Sequence, residues 1–132
     1  MPYQLTWEPR GVYRRYFGHV SADERHASLE EICGDARFDN LRYSITDYLD
    51  VGDYEQSGED TALVAAKHIG PSLSNPRILI AAVALRADIV EAIEQFIALG
   101  MTDLPYRVFP SGDAARLWIQ ANPGHTSRPR LR

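Results

Sequence analysis

Residues 77–85 read RILIAAVAL, an almost unbroken apolar run. A strand with one wet face alternates apolar and polar side chains, whereas a continuous run marks a strand covered on both faces. That condition is met in parallel sheets flanked by helices. The longest wholly apolar part, Ile78 to Leu85, is far short of the ~20 residues that cross a bilayer. The run therefore predicts a central strand in an α/β protein.

The flanking sequence supplies the rest of such a sheet. Residues 3–8 (YQLTWE) alternate and are rich in β-prone types, Pro9, Arg10 and Gly11 form a turn, and residues 12–20 (VYRRYFGHV) return as an antiparallel second strand. Ser21 and Glu24 have the spacing of a capping box, opening a helix that carries Ala22, Leu29, Ile32 and Cys33 inward and stops near Gly34. Residues 41–47 (LRYSITD) read as a third strand. Thr61 to Ile69 reads as a helix ended by Gly70-Pro71.

Asp88 to Leu99 is the clearest helix, with Ile89, Ile93, Phe96 and Ile97 on one stripe and Gly100 at its end. Residues 106–109 (YRVF) make a short last strand, and Ser111 or Asp113 opens a helix through Ala114, Ala115, Trp118 and Ile119. The predicted order is β-β-α-β-α-β-α-β-α, a mixed and mostly parallel sheet begun by an antiparallel hairpin and joined by right-handed crossovers. One domain is expected over 1–122, followed by a disordered tail over 123–132.

A chain of 132 residues is long enough to bury a core without disulfide or metal staples. The single cysteine, Cys33, excludes a disulfide within the chain and a cysteine-based zinc site, and reads as a small core residue. The opening MPYQLTWEPRG lacks the basic and apolar regions of a signal peptide, and the expected compartment is the cytoplasm. Net charge is −4, and three arginines lie within the last five residues, so the body is more acidic still. An acidic body argues against nucleic acid as a partner.

Four segments together carry a family resemblance: WEPRGVYRRYFGHVSADE (7–24), GDARFDNLRYSITDYLDV (34–51), NPRILIAAV (75–83) and VFPSGDAARLWI (108–119). In this order and spacing they resemble the bacterial SpoIIAA-like proteins, the group that contains STAS modules and the Sec14-type lipid-binding fold. The resemblance implies a SpoIIAA-like fold and a non-enzymatic regulatory or protein-interaction module with no cofactor. It further implies a partner that is another protein or a second copy of the chain. Its Sec14 side implies, as an alternative, a small-molecule or lipid-binding domain taking a small apolar ligand. STAS modules are often switched by phosphorylation of a serine in a stretch reading roughly Asp-Ser-Ser-Gly-Leu. Here that stretch is Glu55-Gln56-Ser57-Gly58-Glu59, which makes Ser57 the candidate phospho-switch while replacing the first serine and the apolar residue.

The residues themselves offer one local anomaly. Asp47, Asp50, Asp53, Glu55, Glu59 and Asp60 form an acidic run with no basic residue among them. Asp47 should stand at the carboxyl end of a parallel strand, where α/β sheets hold their ligands, so Asp47, Asp50 and Asp53 are candidates for a metal or phosphoacceptor pocket. A solvated loop and a helix N-terminus account for the same residues. The histidines show no metal spacing, no Gly-x-Ser-x-Gly elbow occurs and no glycine-rich phosphate loop follows a strand. Tyr13, Tyr16, Phe17, Tyr43, Tyr48 and Tyr54 gather on the hairpin and third strand, as core or as an interaction surface, with Arg14, Arg15 and Arg42 expected on the opposite face. The outer edge of the hairpin offers a place for dimerisation by strand pairing.

Overall fold

The apolar run becomes β4 (Leu79–Val83), and Ala81, Ala82 and Val83 have no exposed surface. The structure, a computed structural model, describes residues 3–54, 66–67, 69–100 and 104–122. Ser57, the neighbouring Glu55, Glu59 and Asp60, and the segment 123–132 lie outside the described residues.

Five strands form one sheet in the order β1-β2-β3-β4-β5, with β1 (Tyr3–Glu8), β2 (Gly11–Val20), β3 (Tyr43–Tyr54) and β5 (Tyr106–Phe109) around β4. β1 pairs antiparallel with β2, and every later neighbour is parallel. Four helices complete the described elements: α1 (Ala22–Cys33), α2 (Ile69–Ser74), α3 (Ala87–Ala98) and α4 (Gly112–Gln120), with a short 3-10 turn over Ala36–Asn40. The element order is the predicted one.

Adjacent residues of a strand point to opposite faces, so β4 shows how the layers stack. Ala82 packs with Ile89 and Ile93 of α3, while Ala81 and Val83 pack with Ala115 and Trp118 of α4. Ile32 of α1 joins Val12 and Ile80 on the α3 side. One face of the sheet therefore carries α1 and α3, and the other carries α4.

Local chemistry explains most boundaries. Ser21 Oγ accepts from the Glu24 N–H at 3.3 Å and Glu24 Oε1 accepts from the Ser21 N–H at 3.0 Å, the reciprocal pair the spacing predicted. Ser111, rather than Asp113, caps α4 by accepting from the Ala114 N–H at 3.2 Å. Gly100 closes α3 at a φ of +61°, a conformation other residues rarely adopt.

Four expectations are corrected. β3 runs to Tyr54 rather than ending at Asp47, because the second half of β2 continues to pair with it through register shifts at Arg15/Phe17 and Gly18/His19. Gly70-Pro71 do not end a helix but lie inside α2, which runs to Ser74; residues 61–65 and 68 of the predicted helix lie outside the described residues. Proline lacks a donor but keeps its carbonyl, which accepts from the Asn75 N–H at 2.9 Å. In the hairpin the left-handed residue is Arg10, at φ +67°, whereas Gly11 is already paired with Glu8. Glycine is needed there for space: a Cβ would stand 2.0 Å from the Tyr43 ring. Ile97 is 38% exposed rather than inward, since the contact stripe of α3 is carried by Ile89, Ala92 and Ile93.

Candidate functional site

A cavity of about 100 Å³ lies between the sheet and α1 and α3. Its walls are mostly apolar, with Leu29 and Ile32 from α1, Ile78 and Ile80 from the β4 region, and Ile93 and Phe96 from α3. Two guanidinium groups, those of Arg14 and Arg25, also line it, and none of its described lining residues is acidic.

Arg14 is placed by the strand alternation. On β2 it shares a face with Val12 and Tyr16, the face that meets α1 and α3. Its Nε–H and Nη2–H donate to Thr46 Oγ1 at 3.2 and 2.9 Å, and its Nη1–H donates to Ser28 Oγ at 2.8 Å. Both acceptors are neutral hydroxyls on fully buried residues. Ser28 has a single proton, which goes to the Arg25 carbonyl at 3.0 Å, so its oxygen receives bonds from both Arg14 and the Tyr16 hydroxyl, 2.7 Å away. Burial disfavours a charged guanidinium, but the surrounding tyrosines outweigh this and the Arg14 pKa lies above its ordinary value.

Arg25 enters from α1, where a sequence reading assigns a solvent position to an arginine. It is buried at 6% exposure and lies over the Tyr54 ring, 4.7 Å from the ring centre. Tyrosines complete the wall: Tyr16 and Tyr48 are 5.4 Å apart between ring centres, and Tyr48 and Tyr54 stand edge to face at 5.9 Å. Burial pushes the hydroxyls of Tyr48, Tyr54 and Tyr106 above the ordinary tyrosine pKa, so they remain protonated donors at neutral pH. Cys33, also in the wall, is raised by desolvation and is a thiol rather than a thiolate.

The acidic candidates occupy another part of the fold, and each meets a different β2 residue. Asp47 is buried, accepts the Tyr13 hydroxyl, and accepts the Leu49 N–H at 2.8 Å. Asp50 pairs with Arg15 at 2.8 Å, and Asp53 stands 3.7 Å from His19 Nδ1. These contacts follow from the parallel register, which sets Arg15 beside Asp47, Phe17 beside Asp50 and His19 beside Asp53. Among the described residues no three His, Cys, Asp or Glu side chains gather as a metal group would require.

The tyrosines divide between the two faces instead of sharing one. Tyr16 and Tyr48 face the cavity with Arg14, whereas Tyr13 and Tyr43 face α4. Arg14 and Arg15 therefore lie on opposite faces, and only Arg15 is on the side away from Tyr16. The alternation of VYRRYF carries this information, since Arg14 has the parity of Val12 and Tyr16.

No protein-family model and no curated protein sequence matches the chain. Among solved structures it is similar to that of the anti-sigma factor antagonist SpoIIAA in its unphosphorylated form. The two superpose with a TM-score of 0.60 at 9% sequence identity, over 89% of this chain and 97% of that one. No helix among the described residues is long and apolar enough to cross a membrane. The sheet order, the antiparallel opening hairpin and this superposition together identify the chain's architecture as the SpoIIAA-like, STAS-type α/β fold.

Proposed function

We propose that the chain is a non-enzymatic regulatory module that docks on a partner protein through the carboxyl edge of its sheet. The observation that carries this is a pair of leucines. Leu49 and Leu85 each lie two residues beyond the last β3–β4 register pair, Asp47 and Val83, and are 45% and 68% exposed. Flanking them are the ion pairs Arg15–Asp50 and Arg86–Asp88, giving an apolar centre with a charged rim. Likeness to an anti-sigma factor antagonist supports a protein as the target. In this reading Ser57 is the residue whose phosphorylation controls docking.

The test compares affinity capture by the purified wild-type chain and by the double variant L49D/L85D, whose fold is checked by circular dichroism. The expected result is a protein retained by the wild type and lost by the variant. An identical set of captured proteins, or a turnover measured for the purified chain, would overturn the proposal.

A further inference from the structure

We propose that two copies of the chain associate by antiparallel pairing of their β1 strands, in a register that sets Leu5 of one copy opposite Leu5 of the other. The two sheets then join edge to edge as one continuous sheet.

The two edges of the sheet are finished differently. A strand paired on one side only presents free N–H and C=O groups to any other strand, and proteins blunt such edges with short length, charge or proline. β5 has all three: it is four residues long, carries the exposed Arg107 and lies between Pro105 and Pro110. β1 is six residues long, has no charge from Tyr3 to Trp7 and, among the described residues, pairs only with β2. The chain therefore protects one edge and leaves the other ready for a strand.

Parity decides what β1 offers. The hairpin loop is Pro9 and Arg10 alone, so Glu8 and Gly11 close it as a hydrogen-bonded pair. Alternation then turns the backbone groups of Gln4 and Thr6 toward β2 and those of Tyr3, Leu5 and Trp7 outward. The side chains of Tyr3, Leu5 and Trp7 share the face that packs with α1 and α3, whereas those of Gln4 and Thr6 are exposed on the other.

The strand is its own complement, which is why the partner is a second copy. A two-fold axis normal to the sheet keeps α1 and α3 of both copies on one side and pairs residues of like parity. Centred on Leu5, it sets Leu5 against its counterpart and Tyr3 against the second copy's Trp7. Every outward backbone group from Tyr3 to Trp7 then finds a partner, with about six hydrogen bonds formed. On the helix face ring meets ring and leucine meets leucine, and on the other face Gln4 meets the second copy's Thr6 with no charge opposed. Centring on Thr6 instead would set Tyr3 opposite Pro9, which has no N–H to give. A pairing confined to Tyr3–Trp7 is a small interface, so the dimer is reversible, with a dissociation constant of roughly 10–100 μM.

The purified full chain is followed by sedimentation velocity over roughly 1–500 μM, a range that brackets that constant. A reversible monomer–dimer equilibrium is expected. Gln4→Glu with Thr6→Glu opposes two acids at each polar pair and is expected to weaken the dimer by about tenfold or more. Gln4→Glu with Thr6→Lys sets opposite charges there instead, and is expected to dimerise at least as tightly as the wild type. Both positions are exposed, so the variants alter the edge without touching the core, and circular dichroism checks each fold. Equal weakening by the two double variants, a dimer unmoved by either, or a wild type that stays monomeric throughout the range would each overturn the proposal.

Discussion

Arg116 of α4 grips Glu8 at the end of β1 with two parallel hydrogen bonds, Nη1 to Oε1 at 3.0 Å and Nη2 to Oε2 at 2.8 Å. The contact joins the last helix to the first strand, and the Tyr43 hydroxyl donates to the same carboxylate. Beside this clamp, α4 is held by Ala115, Trp118 and their apolar partners, with the Arg107 guanidinium over the Trp118 ring.

Glu8 is held below the ordinary carboxylate pKa, first by the hydrogen bonds from Arg116 and then by that from Tyr43. A carboxyl group depressed in the folded state binds fewer protons there than in the unfolded chain. Its contribution to stability is therefore complete above the unfolded pKa and disappears as pH falls through the folded one. Glu8→Gln should flatten the loss of stability below about pH 4.5, near the ordinary glutamate value. Arg116→Met should cost about 1–2 kcal/mol at neutral pH, the exposed part of the arginine being screened by solvent. Urea denaturation at a series of pH values checks both.

Gly11 carries no side chain because the Tyr43 ring occupies that space. Gly11→Ala forces the ring aside and pulls the Tyr43 hydroxyl from Glu8, with an expected cost of about 1–3 kcal/mol. The clash disappears if the ring is removed, so the added cost of Gly11→Ala should be small in a Tyr43→Ala background. A double-mutant cycle measures this coupling, and simple additivity would show that the ring is not responsible.

The central strand and the order of the elements were legible because burial imposes periodicity: 78–85 is apolar throughout, and β1 and β2 alternate. The carboxyl half of β3 was not, since Tyr48 to Tyr54 is acidic and contains Gly52, and only pairing with β2 makes it a strand. Arg25 in the cavity wall and Ser28, the buried partner of Arg14, were also missed. Arginine and serine on a helix are expected on its wet face; the cavity and the Tyr54 ring give Arg25 its inward place, and the polar groups of Arg14 and Tyr16 give Ser28 its own. The acidic run drew notice because charge is conspicuous in a sequence. Its partners Tyr13, Arg15 and His19 come from another strand and could be found only through the register.

Asn75 provides a separate test of how the chain is fastened before β4. It is fully buried, its Nδ2 group donates to the carbonyls of Phe38 and Leu41 at 2.8 and 3.0 Å, and its Oδ1 accepts from the Arg77 N–H at 3.2 Å. Asn75→Ala should destabilise the fold by about 1–2 kcal/mol, because the Phe38 and Leu41 carbonyls each lose one of two donors, keeping the Leu41 N–H and the Arg42 guanidinium. Asn75→Asp retains the shape but turns a carboxylate oxygen toward those carbonyls, and should be the worse of the two. A melting midpoint for Asn75→Asp above that of Asn75→Ala would show that shape, not donation, is what the site requires.

Alkaline pH should unfold this protein through its tyrosines. Burial raises the hydroxyls of Tyr48, Tyr54, Tyr106 and Tyr43, and pushes those of Tyr3 and Tyr13 up to about 12, where hydrogen bonds to Glu31 and Asp47 add to the effect. These groups keep their protons in the folded state at a pH where the unfolded chain has lost them. The unfolded state then binds fewer protons, so stability falls as pH rises above the unfolded tyrosine pKa of about 10. Stability is unaffected by these groups below that value. A titration followed at the phenolate absorption band should therefore show little ionisation near pH 10, then a steep cooperative rise that coincides with loss of the far-ultraviolet circular dichroism signal. Tyr48→Phe removes one such proton and should move the midpoint to higher pH. A gradual rise centred at pH 10 with the fold intact would mean that the tyrosine wall of the cavity is open to water.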